Sequence, residues 1–332
     1  MTRSKLRLTA AASALAGLAF AVALVGWFGF GAVAAAAIAV GWRGLLALVL
    51  LHLGLMVVCG IAWRVLLPPG QRVGVWVATA ARLLRDAGGE LLPISPAGGA
   101  VMGARALILA HVPGVAAFAS VVVDLTTELF AQLGFTALGI AVLLQGGWAP
   151  RLGTPALAGL AIAAAAAAGF VLAQRAGMFR MLERFTRRIM LPREAPALPH
   201  EFGTHEMIHE TYRRRSGIVI GFLGHFIAWL ATSLEAWLAL MFIGAPLPLA
   251  AVLALESLIY ALRSAAFFVP SGLGVQEGGY VVLGAFFGLG PESALALSLV
   301  KRARELTIGL PTLIVWQALE ARFWRRLGTR KA

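Results

Sequence analysis

Six long, predominantly apolar segments, at residues 9–30, 44–67, 115–146, 155–174, 217–243 and 303–321, constrain what this chain can fold into. A helix rises about 1.5 Å per residue, so about 20 apolar residues cross the hydrocarbon core of a bilayer. Within lipid, a helix satisfies all its backbone polar groups inside one segment. With 60% hydrophobic and only 13% charged residues, the chain has too little polar surface to face water on all sides. The expectation is an all-α integral membrane protein, a single polytopic domain over residues 1–332, with about six full transmembrane helices. The apolar run from Leu8 to Trp42 is far longer than the 7–15 residues of a signal-peptide core, so it reads as a retained first span.

Basic residues orient the spans. Arg3, Lys5 and Arg7 lie at the start, nine arginines lie between Arg175 and Arg215, and Arg322, Arg325, Arg326, Arg330 and Lys331 lie at the end. All three regions are expected on the cytoplasmic side, which six crossings satisfy. The net charge of +13 sits at the ends of apolar segments, not along one soluble face. It therefore points to anionic lipid headgroups and away from nucleic acid. The 175–215 segment reads as a cytoplasmic basic loop, a place where lipid-biosynthesis enzymes would dock. Its His200, His205 and His209 read as part of a charged amphipathic helix and not as a metal site. The single cysteine, Cys59, lies in an apolar run and reads as packing. The chain shows no motif for an enzyme, cofactor or metal.

Two apolar segments, 70–114 and 247–291, are broken in the middle. The first break is Pro93-Ile-Ser-Pro-Ala-Gly98-Gly99, and the second is Pro270-Ser-Gly272-Leu-Gly274-Val-Gln-Glu277-Gly278-Gly279. Non-helical backbone at membrane depth is tolerated only under protein or beside water, so both read as re-entrant helical hairpins. Shifting the chain by 177 residues aligns Pro93 with Pro270, Asp124 with Lys301 and Glu128 with Glu305. The result is two units, 44–146 and 217–323, each a span, a hairpin and a span. The extra crossing at 155–174 makes the second unit inverted. Inverted repeats with broken helices at their interface are a transporter architecture.

Charges inside spans cost about 2.5–3.5 kcal/mol on insertion scales and normally face a cavity or a partner. The candidates for a substrate pathway are Arg105, Asp124, Glu128, Glu256, Arg263, Glu277, Lys301, Arg302, Arg304 and Glu305. Asp124 and Glu128 lie one turn apart, and their alignment with Lys301 and Glu305 allows a salt-bridged gate, or simply a pairing that holds the halves together. Arg82 and Arg85 are either phosphate ligands or topology signals. Glu256 is either a cavity acid or the partner of Arg263, seven residues on, and Glu235 raises the same question. Arginine clasps phosphate through two parallel hydrogen bonds, which suits a phospholipid head.

The stretch from Pro270 through Gly279, with Lys301-Arg-Ala-Arg-Glu305 after it, resembles the signature of the flippase-like lysylphosphatidylglycerol synthase transmembrane family. Gly98-Gly99-Ala-Val-Met-Gly-Ala-Arg105 and Ser120-Val-Val-Val-Asp124-Leu-Thr-Thr-Glu128 further resemble its hopanoid-associated branch. Many such relatives carry an acid after the first glycine pair, where Ala100 stands here. The resemblance spans essentially the whole chain. It implies a multi-pass protein of the bacterial inner membrane that moves lipid, with hopanoid as the implied cargo, where the arginines point to a phospholipid. Two other readings stay open. One is a non-transporting scaffold for hopanoid or glycolipid enzymes, and the other is a membrane-embedded headgroup transferase.

Overall fold

The computed structural model describes residues 38–92, 95–147, 204–266 and 269–328, with a few isolated positions besides. The regular elements among them are helical. In chain order they are α1 (Gly41–Val65), α2 (Val75–Leu91), α3 (Ser95–Leu109), α4 (Gly114–Gln145), α5 (Thr204–Arg213), α6 (Arg215–Ile243), α7 (Leu249–Ala265), α8 (Val275–Phe286) and α9 (Pro291–Gly328). A short 3-10 turn at Pro270–Gly272 separates α7 from α8.

Helices α1, α4 and α6 are long and apolar enough to cross a membrane. They correspond to the expected spans 44–67, 115–146 and 217–243. The expected spans 9–30 and 155–174 lie outside the described residues. The sixth, 303–321, lies within α9, a continuous helix of 38 residues. Lys301, Arg302, Arg304 and Glu305 on one side of that stretch, and Glu320 and Arg322 on the other, dilute its apolar character. Large apolar side chains nevertheless point outward at one-turn spacing, at Leu46 and Leu50 on α1, Val219, Leu223 and Ile227 on α6, and Leu310 and Ile314 on α9. Stripes of this kind are at home in lipid and not in water.

The succession of long helix, two shorter arms and long helix occurs twice. Helix α9 begins 177 residues after α4, and α8 ends 177 residues after α3. Helices α1 and α6 run antiparallel: Gly44 lies against Phe242 at one end and Gly217 against the Val65 carbonyl at the other. The long helices are exchanged between the units. Helix α4 packs on α7, with Gly139 against Ser257 and the Gln132 amide donating to the Tyr260 carbonyl at 3.2 Å. Helix α9 packs on α2 in turn, with Gly309 against Ala87 and Leu91. One apolar core, including Trp63, Leu107 and Val121, joins α1 to α4. A second, including Leu143, Leu240, Leu255 and Leu297, joins the end of α4 to α6, α7 and α9.

The hairpin breaks are shorter than the sequence led us to expect. Pro93 lies outside the described residues, but Gly98 and Gly99 are inside α3 and not at the tip. Their role is close approach: a Cβ on Gly99 would collide with the Arg85 carbonyl oxygen, so the backbones of α2 and α3 touch there. Gly278 likewise lies inside α8. The second break is Pro270 to Gly274, where Ser271, Gly272 and Gly274 take φ of +57°, +57° and +78°. Helix α5 lies against α4 with Ile208 buried and His209 exposed. Residues 175–203 of the basic loop, with His200, and the side chain of His205 lie outside the described residues.

Candidate functional site

Arg82 and Arg85 stand one turn apart on α2 and are buried, so they are not surface topology signals. Both reach toward α4. Arg82 makes a two-pronged contact with Glu128, at 2.5 Å and 3.0 Å, and its Nε donates to Asp86 at 3.0 Å. Arg85 donates to Asp124 at 2.5 Å and also to Glu128. The second oxygen of Asp124 lies 2.8 Å from Nε2 of His225 on α6. The Arg85 guanidinium also stacks over Trp63, 5.6 Å from the ring centre. Asp124 and His225 are almost wholly buried, where an unpaired charge is very costly, so the mutual pairing explains how they are tolerated.

The second unit carries a network of its own with the signs reversed. Here the acid, Glu256, is on the first hairpin arm, α7, and the cation, Lys301, is on the long helix, α9. Lys301 Nζ donates to Glu256 at 2.6 Å and to the Tyr280 hydroxyl at 2.8 Å, and Tyr280 donates to the other Glu256 oxygen. One turn on, Arg304 donates to Glu235 on α6, whose other oxygen lies 3.2 Å from Nδ1 of His52 on α1. Arg302 reaches Glu277 at 3.3 Å and Glu305 at 3.2 Å. Glu277 also accepts the Gly274 backbone N–H at 2.8 Å and the Ser298 hydroxyl at 3.0 Å. The Pro-x-Gly-x-Gly-x-x-Glu pattern thus has a local reason. Gly274 turns the chain with positive φ, and Glu277 three residues later caps the helix it starts.

The hairpin ends meet. Arg263, at the end of α7, donates to Glu90 at the end of α2 at 2.6 Å, and the Ser271 hydroxyl donates to the Glu90 carbonyl oxygen. Glu256 is therefore the partner of Lys301 and not of Arg263. Asp124 pairs with Arg85 and His225, and Lys301 with Glu256 and Tyr280, so among the described residues no ion pair joins Asp124 to Lys301. Arg105 stands apart, half-buried on α3, donating to Glu320 of α9 at 2.9 Å and stacking over Phe323.

Sequence reasoning missed His52, His225, Asp86, Glu90 and Tyr280. The signal for the histidines was present: each is a lone polar side chain inside an apolar span. The arrangement offers fixed charges in a low-dielectric interior, with arginines held in the two-pronged geometry that also fits phosphate. The family model described as lysylphosphatidylglycerol synthase TM region matches residues 14–312 of the chain. No curated protein and no solved structure matches it.

Proposed function

We propose a lipid-translocating role for this chain, which belongs to the family of lysylphosphatidylglycerol synthase transmembrane regions. Membership makes it a membrane protein with a lipid-related function. In this reading the cargo is a hopanoid or a phospholipid, moved across or out of a bacterial inner membrane. No headgroup is transferred in the process.

The observation that carries the reading is the pair of buried ionic networks beside two broken helices that meet end to end. Replacing buried ion pairs by apolar side chains is often neutral or stabilising, so stability alone is a weak reason to keep this many in an apolar bundle. Charges at such positions are characteristic of polar pathways. The antiparallel α1 and α6, and the exchanged packing of α4 on α7 and α9 on α2, support an inverted second unit. Both termini are cytoplasmic on this reading. The hydrogen bond from Arg214 to the Leu67 carbonyl, 3.2 Å, puts the 66–74 loop and the end of the basic loop on one face, as it requires.

The test is reconstitution into vesicles carrying a fluorescent phosphatidylglycerol or a labelled hopanoid, with outer-leaflet label destroyed by a membrane-impermeant quencher. The protein is expected to accelerate leaflet exchange of at least one of them. Exchange at the protein-free rate, beside an active control transporter, would refute the proposal.

A further inference from the structure

Arg263 is the cation through which the two hairpin ends meet, and it is fixed from its own unit. Its guanidinium stacks over Tyr260, 5.8 Å from the ring centre, and Gly272 of the break lies so close that a Cβ there would stand 3.2 Å from Nε. Across the gap it makes one hydrogen bond, from Nη2 to Glu90 at 2.6 Å, and this is its only ion pair among the described residues. The two partners differ in exposure: the Arg263 side chain is 12% exposed and that of Glu90 is 38%. A partly exposed carboxylate keeps much of its hydration and gains little by pairing, whereas a buried guanidinium depends on an anion. The arginine is thus the fixed half of the pair and the carboxylate the replaceable half.

A second guanidinium stands behind it. Glu305 of α9 lies beside Arg263 and accepts from Nη1 of Arg302 at 3.2 Å. The other terminal nitrogen of Arg302, Nη2, is buried and has no hydrogen-bond partner among the described residues. The same holds for Nε of Arg304, whose Nη2 lies 3.5 Å from Glu305. Buried polar groups are nearly always satisfied, so unfilled N–H groups next to an accessible arginine mark a place for an added acceptor. The ion pairs that hold α7, α8 and α9 together leave these donors unused.

The geometry points to Arg263, with Arg302 behind it, as the seat for the phosphate of a lipid headgroup, a place that Glu90 of the first hairpin occupies in the arrangement described. This rests on the lipid-translocating reading and names the headgroup class that the path takes. A phosphodiester and a carboxylate each carry one negative charge, so exchanging Glu90 for the lipid leaves the charge of the site as it was. Arginine donates to either in the same two-pronged geometry. Because Glu90 is on α2 and Arg263 on α7, parting of the hairpin ends breaks their pair and the Ser271 hydrogen bond beside it. Glu90 thus closes the seat when no lipid is bound and displaces the headgroup when the ends meet again. Glu90→Lys with Arg263→Glu only moves the cation to the other side of the gap, so that double variant keeps a seat of the same kind.

The test is binding of short-chain phosphatidylglycerol to the full chain in detergent, beside diacylglycerol of the same chains and glycerol 3-phosphate. Phosphatidylglycerol is expected to bind about tenfold or more tightly than either, the worth of one charge-assisted hydrogen bond. Diacylglycerol binding equally well overturns the phosphate seat, and glycerol 3-phosphate binding equally well overturns the lipid as its source. Glu90→Gln removes the competing carboxylate and raises the open fraction, so it is expected to tighten phosphatidylglycerol binding several-fold. Arg263→Gln is expected to weaken it about tenfold. Arg263→Lys, which keeps the charge and loses the fork, is expected to fall between and serves if Arg263→Gln does not fold. A pair that only holds the hairpins together predicts looser or unchanged binding in Glu90→Gln, and that result overturns the proposal. Lipid exchange in vesicles, with binding indifferent to both residues, overturns the seat alone. The expected order of binding with no lipid exchange supports the seat and overturns the translocating reading.

Discussion

Glu256 accepts from Lys301 and Tyr280 at once, in a pocket closed to solvent. Removing one member of such a set leaves the others charged and unpaired, which costs about 3–5 kcal/mol, whereas removing both charges together costs far less. Glu256→Gln is therefore expected to lower the thermal unfolding midpoint in detergent clearly, and Glu256→Gln with Lys301→Met to regain most of it. Lipid exchange separates the two meanings of the pair. If the charges belong to the pathway, the double variant is stable but slow. If they only hold α7 to α9, it exchanges lipid at the normal rate. The sequence made the expensive residues legible, since Asp124, Glu128, Glu256 and Lys301 each interrupt an apolar run. It did not make their partners legible. A spacing of seven puts Glu256 and Arg263 on one face of α7, yet Arg263 sits at the helix end and reaches Glu90 of the other unit. Pairings between residues 46 to 183 positions apart, such as Arg82 with Glu128 or His52 with Glu235, follow from packing that no local pattern encodes.

At the scale of helices, glycine decides how closely the hairpin arms approach. Gly99 has no room for a Cβ beside the Arg85 carbonyl, while Gly54 on α1 faces open space. Gly99→Ala is expected to cost about 1–3 kcal/mol through overpacking, and Gly54→Ala to be neutral or slightly stabilising. Thermal unfolding of the two variants side by side checks this. The contact between hairpin ends makes a second prediction. Glu90→Lys places two cations together and is expected to slow lipid exchange several-fold, and adding Arg263→Glu restores a pair of opposite sign and most of the rate. A rate indifferent to both would make the contact incidental. Apolar length alone made α1, α4 and α6 readable, and the two Pro/Gly clusters made the hairpins readable. The extent of α9 was not, because the apolar count starts only at 303, inside its charged stretch. The helix begins earlier, at Pro291, where proline suits a first turn, and continues through Pro311. At about 1.5 Å per residue it is longer than the hydrocarbon core is thick, so its length alone carries part of it beyond the core.

For the whole molecule, the inverted arrangement makes a claim about sides that packing alone leaves to experiment. The antiparallel α1 and α6 put the 66–74 loop beside Arg214, and the start of α1 beside the end of α6. If the basic 175–215 segment is cytoplasmic, as proposed, Arg72, Arg214 and Arg322 are expected on the cytoplasmic side, and Gln145 and Ala250 on the other. The chain suits this measurement, because its one cysteine, Cys59, is buried. Single cysteines at those five positions are expected to react with a membrane-impermeant thiol reagent in two groups: the first three only in inside-out vesicles, the last two only in intact cells stripped of their outer barrier. Labelling of Arg72→Cys and Gln145→Cys from the same side would mean that α4 does not cross between them. The inverted repeat would then fail even with the helix packing intact. Labelling in the expected groups would leave α1 and α6 crossing in opposite directions, the relation that puts one histidine from each unit into the other's network.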